Sequence, residues 1–468
     1  MSWRPTWQGD GGGRELLGLA LPFILSNSFW TLQITIDRVL LSQFSSDAVA
    51  ASMPAVLLFW TPFALLQNTA NYATTFVAQY VGAGRKQRVG SAVWQSLYFS
   101  LAAGLGFIGL VPFVGPLVAL GGHTPAVQEM EATFLRCLCF SALPTLIVSS
   151  VGSFFSGRGD SWTVLAINAC GLAVNALLDY LWIFGRGGFP AWGIAGAGWA
   201  TVIGASASAC FALALFFRTR YREEYGTLSG WRFESDLFRR LMRFGIPNGL
   251  MWMLDALAFT VFIMIVGRIG EIELAATNVT FTINMVAVLP MLGIGQAVEV
   301  LVGQRLGQDR PELAERSTWS GFTLAWCYMA SIAFLYALIP GAFLYFFEST
   351  DDKWPLVAVL VPSLLRYVAL YSLFDGMNLI FSFALRGAGD TRFVTLVSLV
   401  LAWPLMVLPT ALACYYEWGL YWAWAFASFY IIALGVTFLL RFRAGLWKLM
   451  RVIEAPAAPE PVLEECSV

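Results

Sequence analysis

The chain has 468 residues, of which 58% are hydrophobic and only 12% charged, with a mean hydropathy of +0.69 and a formal net charge of −1. Ordinary globular domains carry about twice that share of charge, so a water-soluble fold is excluded and the bilayer must be the solvent. The net charge decides nothing by itself; the placement of the charges does.

Residues 1–13, MSWRPTWQGDGGG, read as a disordered leader, and the apolar stretch after them is too long for a signal-peptide core. Apolar stretches then predict twelve helices, near 16–44, 48–80, 90–116, 127–155, 161–185, 192–217, 245–269, 274–304, 317–347, 356–384, 392–415 and 418–440. They lack the alternation of barrel strands, and backbone groups in hydrocarbon must be bonded within their own segment, so helices are the remaining choice. The expected fold is an all-α polytopic membrane protein. Six helices fall in 14–217 and six in 245–440, with a polar linker at 218–244. In the tail, 441–468, residues 441–453 suit a helix lying on an anionic membrane surface, and the Pro-rich acidic remainder reads as disordered. Of the seven cysteines, all but Cys466 sit in apolar spans, so no disulfide framework is expected. His123, the lone histidine, falls in an outer loop and reads as incidental.

The second half repeats the first. Pro22 and Pro247 stand 225 positions apart, as do Gln79 and Gln304, and Gly82 and Gly307. Arg136 and Arg366, and Asp160 and Asp390, stand 230 apart, which implies an insertion of five residues between the markers. Basic residues crowd one side: Arg85, Lys86, Arg88, Arg158, seven arginines of 218–243, Arg305, Arg310, Arg316, Arg386, Arg392 and the start of the tail. Loops on the other side hold Arg186, Arg268 and Lys353. That asymmetry puts both termini and the linker in the cytoplasm. Two copies of six spans then share one orientation, with a pseudo-twofold axis along the membrane normal.

The repeat also sorts the intramembrane charges. Arg136/Arg366 and Asp160/Asp390 occur in both copies, which suggests scaffold duties at helix ends and loops. Asp37, Asp179, Asp255, Glu299 and Asp375 have no acidic counterpart. Acids that the scaffold does not require, held where each costs several kcal/mol, are functional candidates. On the fifth helix Asn168, Asn175 and Asp179 share a face. With Asp37 they would offer oxygens to a hard cation, or a shared proton on a desolvated carboxyl; the structural alternative is bonding between neighbouring helices. Asn378 and Ser382 extend a polar stripe from Asp375. Prolines inside spans, Pro247 and Pro404 among them, should kink helices. Trp30, Trp252 and Phe259 are aromatic candidates for holding a flat cation.

Several strings in order resemble the multidrug and toxic compound extrusion (MATE) transporters: Leu385-Arg-Gly-Ala-Gly-Asp390-Thr391, Ser156-Gly-Arg-Gly-Asp160-Ser161, the two Val-x-Gln-x-x-Gly strings, Asn175-Ala-Leu-Leu-Asp179-Tyr180, and Gly193-Ile-Ala-Gly-Ala197. The likeness covers roughly 14–440. It implies two six-helix lobes, a central cavity, alternating access, and export of organic cations or drugs in exchange for Na⁺ or H⁺. Asp37, Asn175 and Asp179 match the family's amino-terminal-lobe cation site in the DinF-type arrangement, where Na⁺ would sit between Asp37 and Asp179. Asp255 and Asp375 match the NorM-type carboxyl-terminal-lobe carboxylates, although Glu is usual at the first. With Asn378 and Glu299 they read as a substrate or second-lobe site. Glu299 departs from the pattern, and it either faces the cavity or lies at a solvated helix end.

The expected activity is cation-coupled efflux by a monomer of the inner membrane, surrounded by lipid, with no cofactor beyond the coupling ion and no nucleic-acid partner. Two rivals stand beside it. A flippase for lipid-linked sugars of the same architecture would need cavity cations, for which Arg136 and Arg366 are the candidates. An integral-membrane enzyme lacks a paired Cys motif or a Gly-rich phosphate loop to work with.

Overall fold

Backbone N–H and C=O groups find no water in hydrocarbon, so each apolar stretch of this chain closes its hydrogen bonds on itself as a helix. The computed structural model describes residues 7–347 and 353–454. Twelve described helices are long and apolar enough to span a bilayer. They are α1 (Gly13–Phe44), α2 (Ser46–Gly82), α3 (Gln87–Ala119), α4 (Pro125–Gly157), α5 (Ser161–Phe184), α6 (Ile194–Phe216), α7 (Ser235–Ile269), α8 (Glu271–Gly307), α9 (Pro311–Leu338), α10 (Trp354–Ala388), α11 (Thr391–Tyr415) and α12 (Leu420–Arg443). Proline leaves its mark inside α11, where Trp403–Val407 widens into a π-helical turn around Pro404.

Packing repeats with the sequence. Helices α2, α3 and α6 pack on α4, and their mates α8, α9 and α12 pack on α10. Each half thus forms a six-helix lobe around its fourth helix. Across the pseudo-twofold axis α1 packs on α8 while α7 packs on α2, and within the lobes α1 lies on α5 while α7 lies on α11. Even numbers of spans bring both chain ends and the linker to one face, here termed the basic face.

The lobes meet closely at that face. A Cβ on Gly82 would overlap the carbonyl oxygen of Gln304, and one on Gly307 would overlap that of Gln79. Only glycine allows helix ends to cross at this distance. Tyr72 Oη donates to the Arg386 carbonyl at 2.8 Å, Asn248 Nδ2 to the Asn68 carbonyl at 2.9 Å, and Asn27 Nδ2 to Gln296 Oε1 at 3.3 Å. Every described hydrogen bond between the lobes lies in the half of the molecule toward the basic face.

Three segments at that face differ from what their composition suggested. The leader is ordered from Trp7: Arg14 N donates to the Trp7 carbonyl at 3.1 Å, and Ser320 Oγ of α9 donates to the Gly11 carbonyl at 2.8 Å. Residues 1–6 lie outside the described part. The linker carries a helix, Thr219–Tyr225, and is pinned to α3 by Trp94 Nε1, which donates to the Thr227 carbonyl at 2.7 Å. Among the described residues the tail forms no long surface helix. After α12 the described residues hold the 3₁₀ turn Leu446–Leu449, and residues 450–454 run into the protein. Composition identified amphipathic and glycine-rich stretches, but a protein surface can receive them as well as a lipid surface can. The rest of the tail, 455–468, lies outside the described residues.

Candidate functional site

In the first lobe α1 lies along α5 and brings Asp37 to Asn175 and Asp179. The last two are one turn apart on one face of α5 and are buried, and Asp37 is half-buried. The Asp37 and Asp179 carboxyl groups face each other within hydrogen-bonding reach, with Asn175 beside Asp179. With no proton between them, neither carboxylate has a donor. Asp37 Oδ1, both Asp179 oxygens, and both polar atoms of Asn175 are buried without a hydrogen-bond partner. Arg38 follows Asp37 directly, but adjacent helix positions point apart; it is exposed and forms no ion pair among the described residues. Asn168, two turns before Asn175, is half-buried and makes no hydrogen bond among the described residues.

An arrangement of this kind has one simple chemical use. Two acidic groups face to face in a poorly solvated site repel each other unless something positive lies between them. A hard monovalent cation fits the donor set of carboxylate and amide oxygens, and a shared proton meets the same demand. Among the described residues no group of three or more His, Cys, Asp or Glu is arranged for a metal ion; the oxygens this site offers a cation are those of Asp37, Asp179 and the Asn175 amide.

The second-lobe acids are differently placed. Asp255 on α7 accepts from Tyr430 Oη of α12 at 2.9 Å, and Asp375 on α10 accepts from Asn378 Nδ2 at 3.1 Å. The two carboxyl groups are near enough for their charges to interact. Asn284 Nδ2 donates to Tyr371 Oη at 3.4 Å on the same side of α10. Tyr371 was legible in principle, one turn before Asp375. Tyr430 and Asn284 were not, since nothing in their own helices marks them.

Glu299 stands apart from both groups, half-buried at the junction of the lobes. Thr75 Oγ1 of α2 donates to it at 2.9 Å, and its charge acts on Arg386. Arg386, counted from sequence among the solvated basic residues, is 3% exposed. Its Nη1 donates to Asn248 Oδ1 at 3.2 Å, and its guanidinium lies 3.9 Å from the Phe383 ring and 5.5 Å from that of Trp252. Trp252 is thereby engaged and Phe259 packs edge-on against Phe281, whereas Trp30 is 44% exposed beside Trp60.

The duplicated charges behave unequally. Asp160 caps α5, accepting from Thr163 N at 3.3 Å and Thr163 Oγ1 at 2.8 Å. Asp390 makes no such cap and pairs instead with Arg441 Nε at 2.8 Å. Arg136 and Arg366 anchor no helix end: both lie inside helices on exposed faces and form no ion pair among the described residues. A repeated residue type marks a shared position, while the partner depends on helices that the repeat does not copy exactly. Arg158, whose repeat mate is Ala388, is caged by the rings of Phe154, Tyr221 and Tyr225, 4.4 to 4.7 Å away.

Comparison with known proteins identifies relatives of this sequence and fold. The MatE family model matches residues 22–181 and 247–412, one match in each lobe. The chain is 29% identical over 447 residues to a probable multidrug resistance protein NorM of Xanthomonas campestris pv. campestris, covering 94% of this chain and 95% of that protein. It is 28% identical over 416 residues to the protein so described in Xylella fastidiosa, covering 87% and 86%. Among solved structures it superposes, with a TM-score of 0.85 and 20% identity over 94% of this chain and 97% of the other, on an outward-facing multidrug resistance MATE transporter of the MOP superfamily. A MOP superfamily transporter from Pyrococcus furiosus, described as having a binding pocket of reverse polarity, gives the same TM-score and identity over 95% of this chain and all of its own.

Proposed function

The chain belongs to the MATE family of transporters, and from that premise we propose that it exports organic cations, drugs among them, in exchange for Na⁺ or H⁺. The observation that carries the reading is the Asp37–Asp179 pair: two facing acids with buried, unpartnered oxygens and, among the described residues, no arginine paired with them. Such a pair favours whichever lobe arrangement lets a cation or proton reach it, and a ligand shifts the balance of states by its difference in affinity for them.

The arginine asymmetry supports a cytoplasmic basic face in an inner-membrane protein. The cross-lobe bonds gathered at that face support a resting state closed toward the cytoplasm. From there Na⁺ or H⁺ enters at Asp37, Asn175 and Asp179, with Asn168 further along the same face. Asp255, Asp375 and Asn378, already supplied with donors, serve cargo or the movement of the second lobe, and Glu299 serves the junction. The functional unit is a monomer of two lobes, α1–α6 and α7–α12, joined by the linker, of which residues 235–244 form the first turns of α7. A flippase for lipid-linked sugars finds less support, because Arg136 and Arg366 lie on exposed helix faces and Arg386 is committed to Asn248 and the Phe383 ring.

Dye efflux from cells carrying Asp37→Asn or Asp179→Asn tests the site. Loss in both is expected; full retained efflux by both removes it. Proteoliposomes given a pH gradient or a Na⁺ gradient separately identify the ion.

A further inference from the structure

Past α12 the chain turns at Gly445, and Trp447 stacks on Phe442 with ring centres 4.7 Å apart and planes 12° from parallel. Lys448 pairs with Glu315 of α9 at 2.5 Å, and Arg451 pairs with Asp309, between α8 and α9, at 2.8 Å. Both partners belong to the second lobe. Val452, fully buried, then donates its backbone N–H to Gln79 Oε1 of the first lobe at 2.9 Å. Two residues on, the Glu454 carboxylate accepts from Tyr80 Oη at 2.7 Å and Arg240 Nη1 at 2.9 Å, with Arg88 Nε at 3.4 Å. Arg85 Nη1 donates to the Glu454 backbone carbonyl at 3.0 Å.

Seven residues, 448–454, are therefore fixed to the second lobe at their start. At their end they reach the first lobe through Gln79, Tyr80, Arg85 and Arg88, while Arg240 at the start of α7 adds a second-lobe contact to Glu454. Gln79 makes the coincidence consequential. Its Nε2 donates to the Gly387 carbonyl across the lobe junction at 3.1 Å, so a single side chain holds both the second lobe and the strap. The strap leaves its 3₁₀ turn at Met450, which is extended, and crosses to Gln79 within two residues; even an extended chain reaches only about 3.3–3.6 Å per residue. Between the Arg451 pair with Asp309 and the Val452 bond to Gln79 there is a single residue step, so parting the lobes at this face breaks one of the two attachments.

We propose that residues 448–454 are a latch across the basic face: docked, the strap holds the lobes together there, and its release from the Tyr80, Arg85, Arg88 and Arg240 pocket is a step in opening. This rests on the alternating-access reading only in requiring that the lobes part at this face.

The test uses spin labels on cysteines replacing the exposed residues Glu223, beside the first lobe, and Glu312, in the second, in the full chain without its native cysteines. Distance distributions are compared for the parent, Glu454→Gln, a chain ended after Met450, and a chain ended after Glu454. The longer-distance population should rise about tenfold in the Glu454→Gln and Met450-ended chains, in keeping with loss of a charge-assisted contact, and stay at the parent level in the Glu454-ended chain. Unchanged distances in folded Glu454→Gln protein, which keeps the side chain's shape, overturn the latch even if the shorter chain fails to fold. A rise in that population together with absent ion-driven efflux leaves the latch standing and removes the antiport reading instead.

Discussion

Gln79 and Gln304 make the same bond in opposite directions: Gln79 Nε2 donates to the Gly387 carbonyl at 3.1 Å, and Gln304 Nε2 donates to the Gly157 carbonyl at 2.9 Å. Donors are repeat mates, and so are acceptors, so each lobe reaches across to the end of the other lobe's fourth helix. The glycines three residues on, Gly82 and Gly307, bring the backbones close enough for both bonds. Gly82→Ala and Gly307→Ala should each push the lobes apart, because the new methyl meets a backbone oxygen that cannot rotate away. A loss of roughly 1–3 kcal/mol is expected for either, read as a lowered unfolding midpoint in detergent; wild-type midpoints for both would show that the crossing is looser than described.

The junction also tests how Arg386 is tolerated. Glu299→Gln keeps an acceptor for Thr75 but removes a negative charge acting on a buried guanidinium. Destabilisation on the order of 1–3 kcal/mol is expected. Glu299→Gln combined with Arg386→Gln should cost less than the sum of the single changes, because a lone buried charge is worse than none. Simple additivity in denaturation measurements would mean that the two charges do not act on each other.

In the second lobe, Tyr430→Phe removes the donor to Asp255 without changing the ring. A cost of about 1–3 kcal/mol is expected for a carboxylate deprived of that bond. If coupling rests on Asp37 and Asp179 as proposed, efflux should slow while its preference for a Na⁺ or pH gradient stays as in the parent. A changed ion preference in proteoliposomes would place coupling in the second lobe.

Strap attachment should depend on pH in one direction. Burial raises the Glu454 carboxyl, but the bond from Tyr80 and the charges of Arg88 and Arg240 outweigh it and hold the group below its ordinary value of 4.5. A depressed value in the docked state means that the contribution is complete at and above the ordinary carboxylate range and is lost as pH falls through the lowered value. Hydrogen exchange at the Val452 amide should therefore be protected at neutral pH and lose protection only under acid, and Glu454→Gln should remove that transition. Protection independent of pH in the parent would exclude the carboxylate as the attachment.

What the sequence by itself determined was whatever depends on period, length and repetition. Apolar runs long enough to span hydrocarbon can be nothing but helices there, and the offsets of Pro22/Pro247 and Gln79/Gln304 make the second half a copy of the first. Asp37 and Asp179 were legible as candidates because the copy lacks them. Tertiary structure alone decided who meets whom. That Asp37 and Asp179 face each other without a donor, while Asp255 has Tyr430, follows from helix rotations and crossings that no local pattern encodes. The same holds for Arg386, whose place in the chain reads as a solvated loop end but which the closing lobes bury, and for a tail whose apolar and basic residues suit a lipid surface and a protein groove equally. Burial of a charge or a strap is set by the sum of contacts from distant helices, and sequence spacing carries no record of that sum.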